Sequence, residues 1–166
     1  MRFRLLSAAL LAVSLSTACM SSTEPVVVPT IETTGFAPAL GVDLAASTKT
    51  ASGLYYRDIQ VGAGTTPLFT GQTVGVTYTG SLPNGTVFDY WPRAASDTAF
   101  TFKLGAGQVI AGWDEGLVGM RVGGKRQLIV PSNLAYGATE FRNQAGTIVI
   151  PRYSILVFTV TAVSAQ

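Results

Sequence analysis

The chain of 166 residues contains no histidine and a single cysteine, Cys19. Without histidine it lacks the usual general base, the usual metal ligand and every Ser-His or Cys-His nucleophilic pair, which removes most hydrolase chemistries. One cysteine cannot close a disulfide within the chain. The carboxylates do not fill the gap. Asp114 and Glu115 are adjacent on a predicted helix and so point in different directions, a poor start for paired-carboxylate catalysis, and a solvated helix face is expected of them. A long apolar run is also missing, since the most apolar stretch, 5–15, falls short of the roughly 20 residues of a membrane span.

That stretch has another reading. Arg2 and Arg4 precede it and the small residues Ser16, Thr17 and Ala18 follow it, so 1–18 is predicted to be an export signal peptide. Cys19 stands directly after the cleavage position, which resembles a bacterial lipoprotein, whose first mature residue carries several acyl chains and so holds a membrane stably. The expectation is an exported protein of the cell envelope, lipidated at Cys19 on the periplasmic or extracytoplasmic face and touching the membrane through that anchor alone. Plain cleavage after Ala18 is the alternative, because Ser16 stands where such lipoproteins prefer leucine. Removing 1–18 takes away two arginines and no acid, leaving nine basic and nine acidic residues. No basic field remains to recruit nucleic acid or an anionic membrane.

After Cys19, the stretch to residue 48 is rich in Ser, Thr, Pro and Ala without a sustained period, so 19–48 is predicted to be a flexible tether. Docking of Val42 and Leu44 onto the rest is the lesser alternative. The remainder, 49–166, has the size of one domain with one core. Strands are predicted over 54–59, 73–79, 87–88, 100–104, 126–130 and 153–163, several of them with apolar alternation such as Val74, Val76 and Tyr78. Val109, Ile110, Trp113, Leu117 and Met120 recur at helical spacing. Strands with one packed helix make an α+β architecture.

One motif is a decoy. The run from Gly119 to Arg126 nearly matches the phosphate-binding G-x-x-x-x-G-K-[ST] pattern, but Arg126 replaces the hydroxyl, and the run follows a helix and opens a strand, the reverse of the required context. It is predicted to be a helix-to-strand turn. What is left is a set of aromatic and aliphatic residues with few polar members, which composition alone would assign to a core.

Several segments then fall in order along 53–163: Tyr78-Thr79-Gly80, Phe88-Asp89, Phe100 to Gly105, Val109-Ile110 with Gly112-Trp113, Ala135-Tyr136-Gly137, and Ile150-Pro151 followed by Leu156-Val157-Phe158. Together they resemble the FKBP-type peptidyl-prolyl cis-trans isomerases. The resemblance implies a half-wrapped antiparallel β-sheet packed on one short helix, and rotation about Xaa-Pro bonds without metal or cofactor. It also implies site roles. Trp113 would floor a proline pocket walled by Tyr78, Phe88, Phe100 and Phe158 and rimmed by Val109, Ile110 and Ile150. The backbone N–H of Ile110 and the hydroxyl of Tyr136 would hold substrate carbonyls, and Asp89 would lie beside the twisting amide or serve as a buried acceptor that orders the pocket.

Proline-containing polypeptides are the implied partners and macrolides of the FKBP class the implied inhibitors. The chain departs from the family pattern at Tyr90-Trp91-Pro92-Arg93, at Ala99, at Arg152 and in an extended loop over 137–150 that carries Phe141, Arg142 and Asn143. These departures are expected to shape substrate preference. Two other readings stay open: a peptide-binding or holdase module without useful catalysis, and an envelope scaffold whose pocket Trp91 or Phe141 blocks.

Overall fold

The computed structural model describes residues 26–92, 94 and 96–166; the predicted signal peptide, Cys19 and the first residues of the predicted tether lie outside that set. Nine strands follow in chain order: β1 (Thr48–Lys49), β2 (Tyr55–Gln60), β3 (Thr73–Ser81), β4 (Val87–Trp91), β5 (Phe100–Lys103), β6 (Lys125–Val130), β7 (Phe141–Arg142), β8 (Ile148–Ile150) and β9 (Leu156–Ala165). The one α-helix among the described residues is α1 (Ala111–Gly116). Seven strands make an antiparallel sheet in the order β1-β2-β6-β9-β3-β4, with β5 also on β3. β3 changes partner along its length: Thr73 to Val76 pair with β5, and Tyr78 to Ser81 pair with β4. β7 and β8 form a separate hairpin.

The period-two pattern produces the core directly. Val74 and Val76 of β3, Leu128 and Val130 of β6, and Leu156 and Val160 of β9 share one face of the sheet and are fully buried beneath α1. Close approach of the helix depends on Gly112, where an added Cβ would lie 2.4 Å from Val130 Cγ1. The helix is shorter than the spacing of its apolar residues predicts. Ile110 is its extended N-cap, and Met120 lies beyond its end, after Gly119 at φ +82°. Glycines at 116 and 119 are poor helix formers, so only the middle of the periodic stretch is helical.

Arg126 finishes the helix from the sheet. Its Nη1 donates to the Gly116 and Val118 carbonyls at 2.8 and 3.0 Å, while Nε and Nη2 reach the Asp58 carboxylate at 2.7 and 2.9 Å. The carbonyls at the end of a helix lack intrahelical donors, and this buried arginine supplies them. The turn read as a phosphate-loop decoy is therefore the link from α1 to β6.

The segment 30–48 is not a free tether. It crosses the opposite face of the sheet in two short 3-10 turns, Ile31–Thr33 and Pro38–Leu40. Ile31 is buried there with Tyr55, Ile129, Ile155 and Val157, and Phe36, Leu40, Val42 and Leu44 pack around them. Polar contacts fix its course. Glu32 accepts from Tyr55 Oη at 2.8 Å and from Lys49 Nζ at 2.5 Å, Gln127 Nε2 donates to the Leu40 carbonyl at 2.7 Å, and Arg57 donates to the Gly41 carbonyl at 2.8 Å. The linker-like composition concealed this because the apolar residues follow an irregular path and so have neither a helical nor a strand period.

Candidate functional site

Tyr78 on β3, Phe88 and Asp89 on β4, Phe100 on β5, Trp113 on α1 and Phe158 on β9 all converge at one end of the helix-bearing face. With Gln108, Val109, Ile110 and Tyr136 they line an open cavity of about 240 Å³. The floor is Trp113, only 4% exposed. Its ring meets Tyr78 and Phe158 edge-on, with centroids 4.9 and 5.3 Å away, and lies 5.8 Å from Phe102. Edge-to-face contacts suit the aromatic quadrupole, so the rings hold one another upright and leave a hollow instead of collapsing. Gly80 makes room for the wall: a Cβ there would lie 2.7 Å from Phe158 and 2.8 Å from Phe88.

Few polar groups enter the cavity. Asp89 Oδ2 accepts from the Tyr78 hydroxyl at 2.7 Å, and Oδ1 accepts from the Tyr90 N–H at 2.9 Å. Ile110 carries the carbonyl that opens α1, accepting from the Trp113 and Asp114 N–H groups, while its own N–H donates to no backbone acceptor among the described residues. Tyr136 follows the 3-10 turn Ser132–Leu134, which the Ala135 and Gly137 N–H groups close on the Ser132 carbonyl at 3.1 and 2.8 Å. Burial pushes the Tyr136 phenol above its ordinary pKa of 10.0, and the negative charge of Asp89 adds to the shift. The phenol is thus a hydrogen-bond donor throughout the neutral range.

Of the residues expected at the site, nine line the cavity; Ile150 does not. It is 6% exposed and belongs to the core, because β8 turns its side chain inward. Trp91 and Phe141 stand outside the lining as well: Trp91 backs Phe100 at 6.0 Å and Phe141 backs Tyr136 at 4.4 Å, so neither blocks the pocket. Gln108 was missed, although it immediately precedes the Val109-Ile110 segment; its Oε1 accepts from the Lys103 N–H at 2.8 Å. Asp114 is not simply a solvated residue, since its carboxylate accepts from the Gly105 and Gly107 N–H groups at 2.7 and 2.9 Å and ties the loop before α1 to the helix.

Residues 64–163 match the family model of the FKBP-type peptidyl-prolyl cis-trans isomerases. The chain belongs to this family. FK506-binding protein 4 of Mycosarcoma maydis is 46% identical over 120 residues, covering 72% of this chain and 29% of that protein. FK506-binding protein 2 of Yarrowia lipolytica is 48% identical over 94 residues, 57% of this chain and 60% of that protein. This FKBP-type chain therefore spans under a third of the first relative's length. Among solved structures, AtFKBP13 superposes with a TM-score of 0.64 at 36% identity, covering 72% of this chain and 98% of that one. FkpA from Escherichia coli gives 0.59 at 35% identity, with 73% and 52% covered. The antiparallel sheet with one short helix is the FKBP fold.

Proposed function

We propose that the protein is a peptidyl-prolyl cis-trans isomerase acting on proline-containing segments of exported proteins. The observation that carries this reading is the hollow above Trp113, a rigid aromatic cavity with a few hydrogen-bonding groups at its edge. Rotation about an Xaa-Pro bond must overcome the partial double bond of the amide, a barrier of about 18–20 kcal/mol, and requires no nucleophile. The planar amide is charge-separated and well solvated. A dry aromatic pocket removes that solvation and favours the twisted form, in which the charge separation is lost. Any preference for the twisted form lowers the barrier, with each 1.36 kcal/mol giving about tenfold in rate.

In this mechanism the proline ring sits over Trp113 between Tyr78, Phe88, Phe100 and Phe158. The Ile110 N–H and the Tyr136 hydroxyl donate to substrate carbonyls on either side of it, and Val109 closes the rim. Asp89 fixes the Tyr78 hydroxyl and places its negative charge beside the rotating amide. The FK506-binding relatives support a macrolide of that kind as a competing ligand. The position of Cys19 after a signal-like stretch supports a lipid-anchored envelope protein.

Exchange spectroscopy on a panel of Xaa-Pro tetrapeptides tests the activity: exchange should accelerate with added protein and slow again with FK506. No acceleration on any peptide, together with suppression of aggregation of an unfolded client, would replace the enzyme by a binding module. Mass spectrometry of membrane-fraction protein tests the anchor, which a bare Cys19 thiol would exclude.

A further inference from the structure

The extended loop of this chain folds into an ordered hairpin. Phe141 pairs across it with Ile150, whose side chain is sunk in the core. Its tip is tied by Asn143, whose Oδ1 accepts from the Ala145 and Thr147 N–H groups at 3.0 and 2.9 Å, and by Arg142, which donates to the Gly146 carbonyl at 2.7 Å and to Glu140 at 2.8 Å. Asn143 and Thr147 also share a backbone hydrogen bond of 2.9 Å. A hairpin anchored at one end and knotted at the other holds its side chains in fixed positions, and the side chain it presents toward the site is Phe141. That ring lies 4.4 Å from the Tyr136 ring at 57°, and 38% of Phe141 stays exposed.

The Tyr136 ring is half-buried and packs against the core under α1, but no described residue hydrogen-bonds its hydroxyl, and its own loop is a short turn that fixes the backbone and not the ring. The Phe141 contact adds a second, rigid surface that restricts the Tyr136 ring further and covers it from solvent. From this contact we infer that Phe141 is a positioning residue of the isomerase, acting through Tyr136 by holding the phenol where its hydroxyl meets a substrate carbonyl. The inference rests on the isomerase reading for its effect on turnover and on the ring contact alone for its effect on Tyr136. The raised phenol pKa agrees with it, since burial is the larger cause of that shift.

The test is a double-mutant cycle of Phe141→Ala and Tyr136→Phe in the full chain, read as kcat/KM on an Xaa-Pro tetrapeptide and as the Tyr136 pKa from NMR of ring-labelled tyrosine. The Tyr136 signal is identified by its loss in Tyr136→Phe. Phe141→Ala should lower kcat/KM by up to about tenfold, the loss expected when one hydrogen bond is removed. The double variant should be no slower than Tyr136→Phe, because the two changes break one interaction. The phenol pKa should fall toward 10 in Phe141→Ala and return upward in Phe141→Tyr, which restores an aromatic cover. Losses that multiply, or a phenol pKa unmoved in Phe141→Ala, overturn the inference. A wild-type chain inactive on every peptide would sink the isomerase reading instead. The titration would still decide the contact, upholding it if the pKa falls and overturning it if it does not.

Discussion

On one face of the sheet, Val76, Leu128 and Val160 lie under α1 and give way at one end to Tyr78, Trp113 and Phe158; on the other, Tyr55, Ile129 and Val157 lie under Ile31 and its neighbours from 30–48. The first face keeps a cavity of about 240 Å³, and the second buries Ile31 to 2% exposure. The difference follows from what fills each side. Rigid rings braced edge-to-face cannot slide into the space between them, whereas a strap of chain carrying isoleucine, leucine and valine settles onto the sheet around Ile31 and leaves open hollows only along its borders, such as the one between Leu40, Val87 and Val157. The cavity thus belongs to the helix-bearing face alone while buried cores lie on both faces of the same strands, and β9 contributes to each through Val157 and Phe158.

The comparison breaks most visibly at Ile31. Ile31→Ala should cost ~2–5 kcal/mol, the range for a large buried aliphatic cut to alanine, and leave kcat/KM of the folded protein unchanged. Urea melts and peptide exchange measure the two quantities. An unaltered midpoint would return 30–48 to the status of a loose tether.

Trp113→Leu should show the reverse balance. Turnover is expected to fall by tenfold or more as the floor recedes, with a stability loss of ~1–3 kcal/mol because leucine fills only part of the indole volume. A variant that melts much earlier yet turns over normally would mean that Trp113 is core and not floor.

Smaller still is Asp89→Asn, which keeps an acceptor for the Tyr78 hydroxyl and removes the charge. A charge acting on the rotating amide predicts several-fold lower kcat at unchanged melting temperature. An acceptor that only orders Tyr78 predicts no change in kcat, and the same assay separates the two roles.

The smallest effect is one of pH. The Lys49 and Tyr55 hydrogen bonds hold Glu32 at a pKa of about 2, below its ordinary 4.5. A depressed carboxylate stabilises the folded state above its unfolded pKa, and that contribution is lost as pH falls through the folded one. Amide protection factors around 30–48, corrected for the intrinsic pH dependence of exchange, should therefore fall between about pH 4.5 and 2 in the wild type. In Glu32→Gln that fall should be absent. The pocket face carries no counterpart at neutral pH, because the Tyr136 phenol titrates above 10.0. Peptide turnover should accordingly stay level from pH 6 to pH 9.

Local pattern made much of this legible. Alternation at Val74, Val76 and Tyr78 and at Phe100, Phe102 and Leu104 marks strands because a strand repeats every two residues, and those strands are present. The ordered family segments brought nine of the ten expected pocket residues to one cavity. Helix length was less legible, since Val109 and Met120 keep a helical spacing while the backbone around Gly119 does not.

By itself the sequence determined the class of fold and the strands that build it, because both depend on side-chain type and short-range periodicity, whereas the aromatic site was legible only through the ordered segments that resemble the FKBP family. Tertiary structure alone decided that Ile150 faces the core, that Asp114 and Gln108 tie down the loop entering α1, that Phe141 covers Tyr136 and that 30–48 straps the second face. Those four outcomes share one physical reason. Each depends on which surface a residue meets across the fold, and a sheet with two apolar faces leaves that choice to whatever part of the chain can reach the uncovered one.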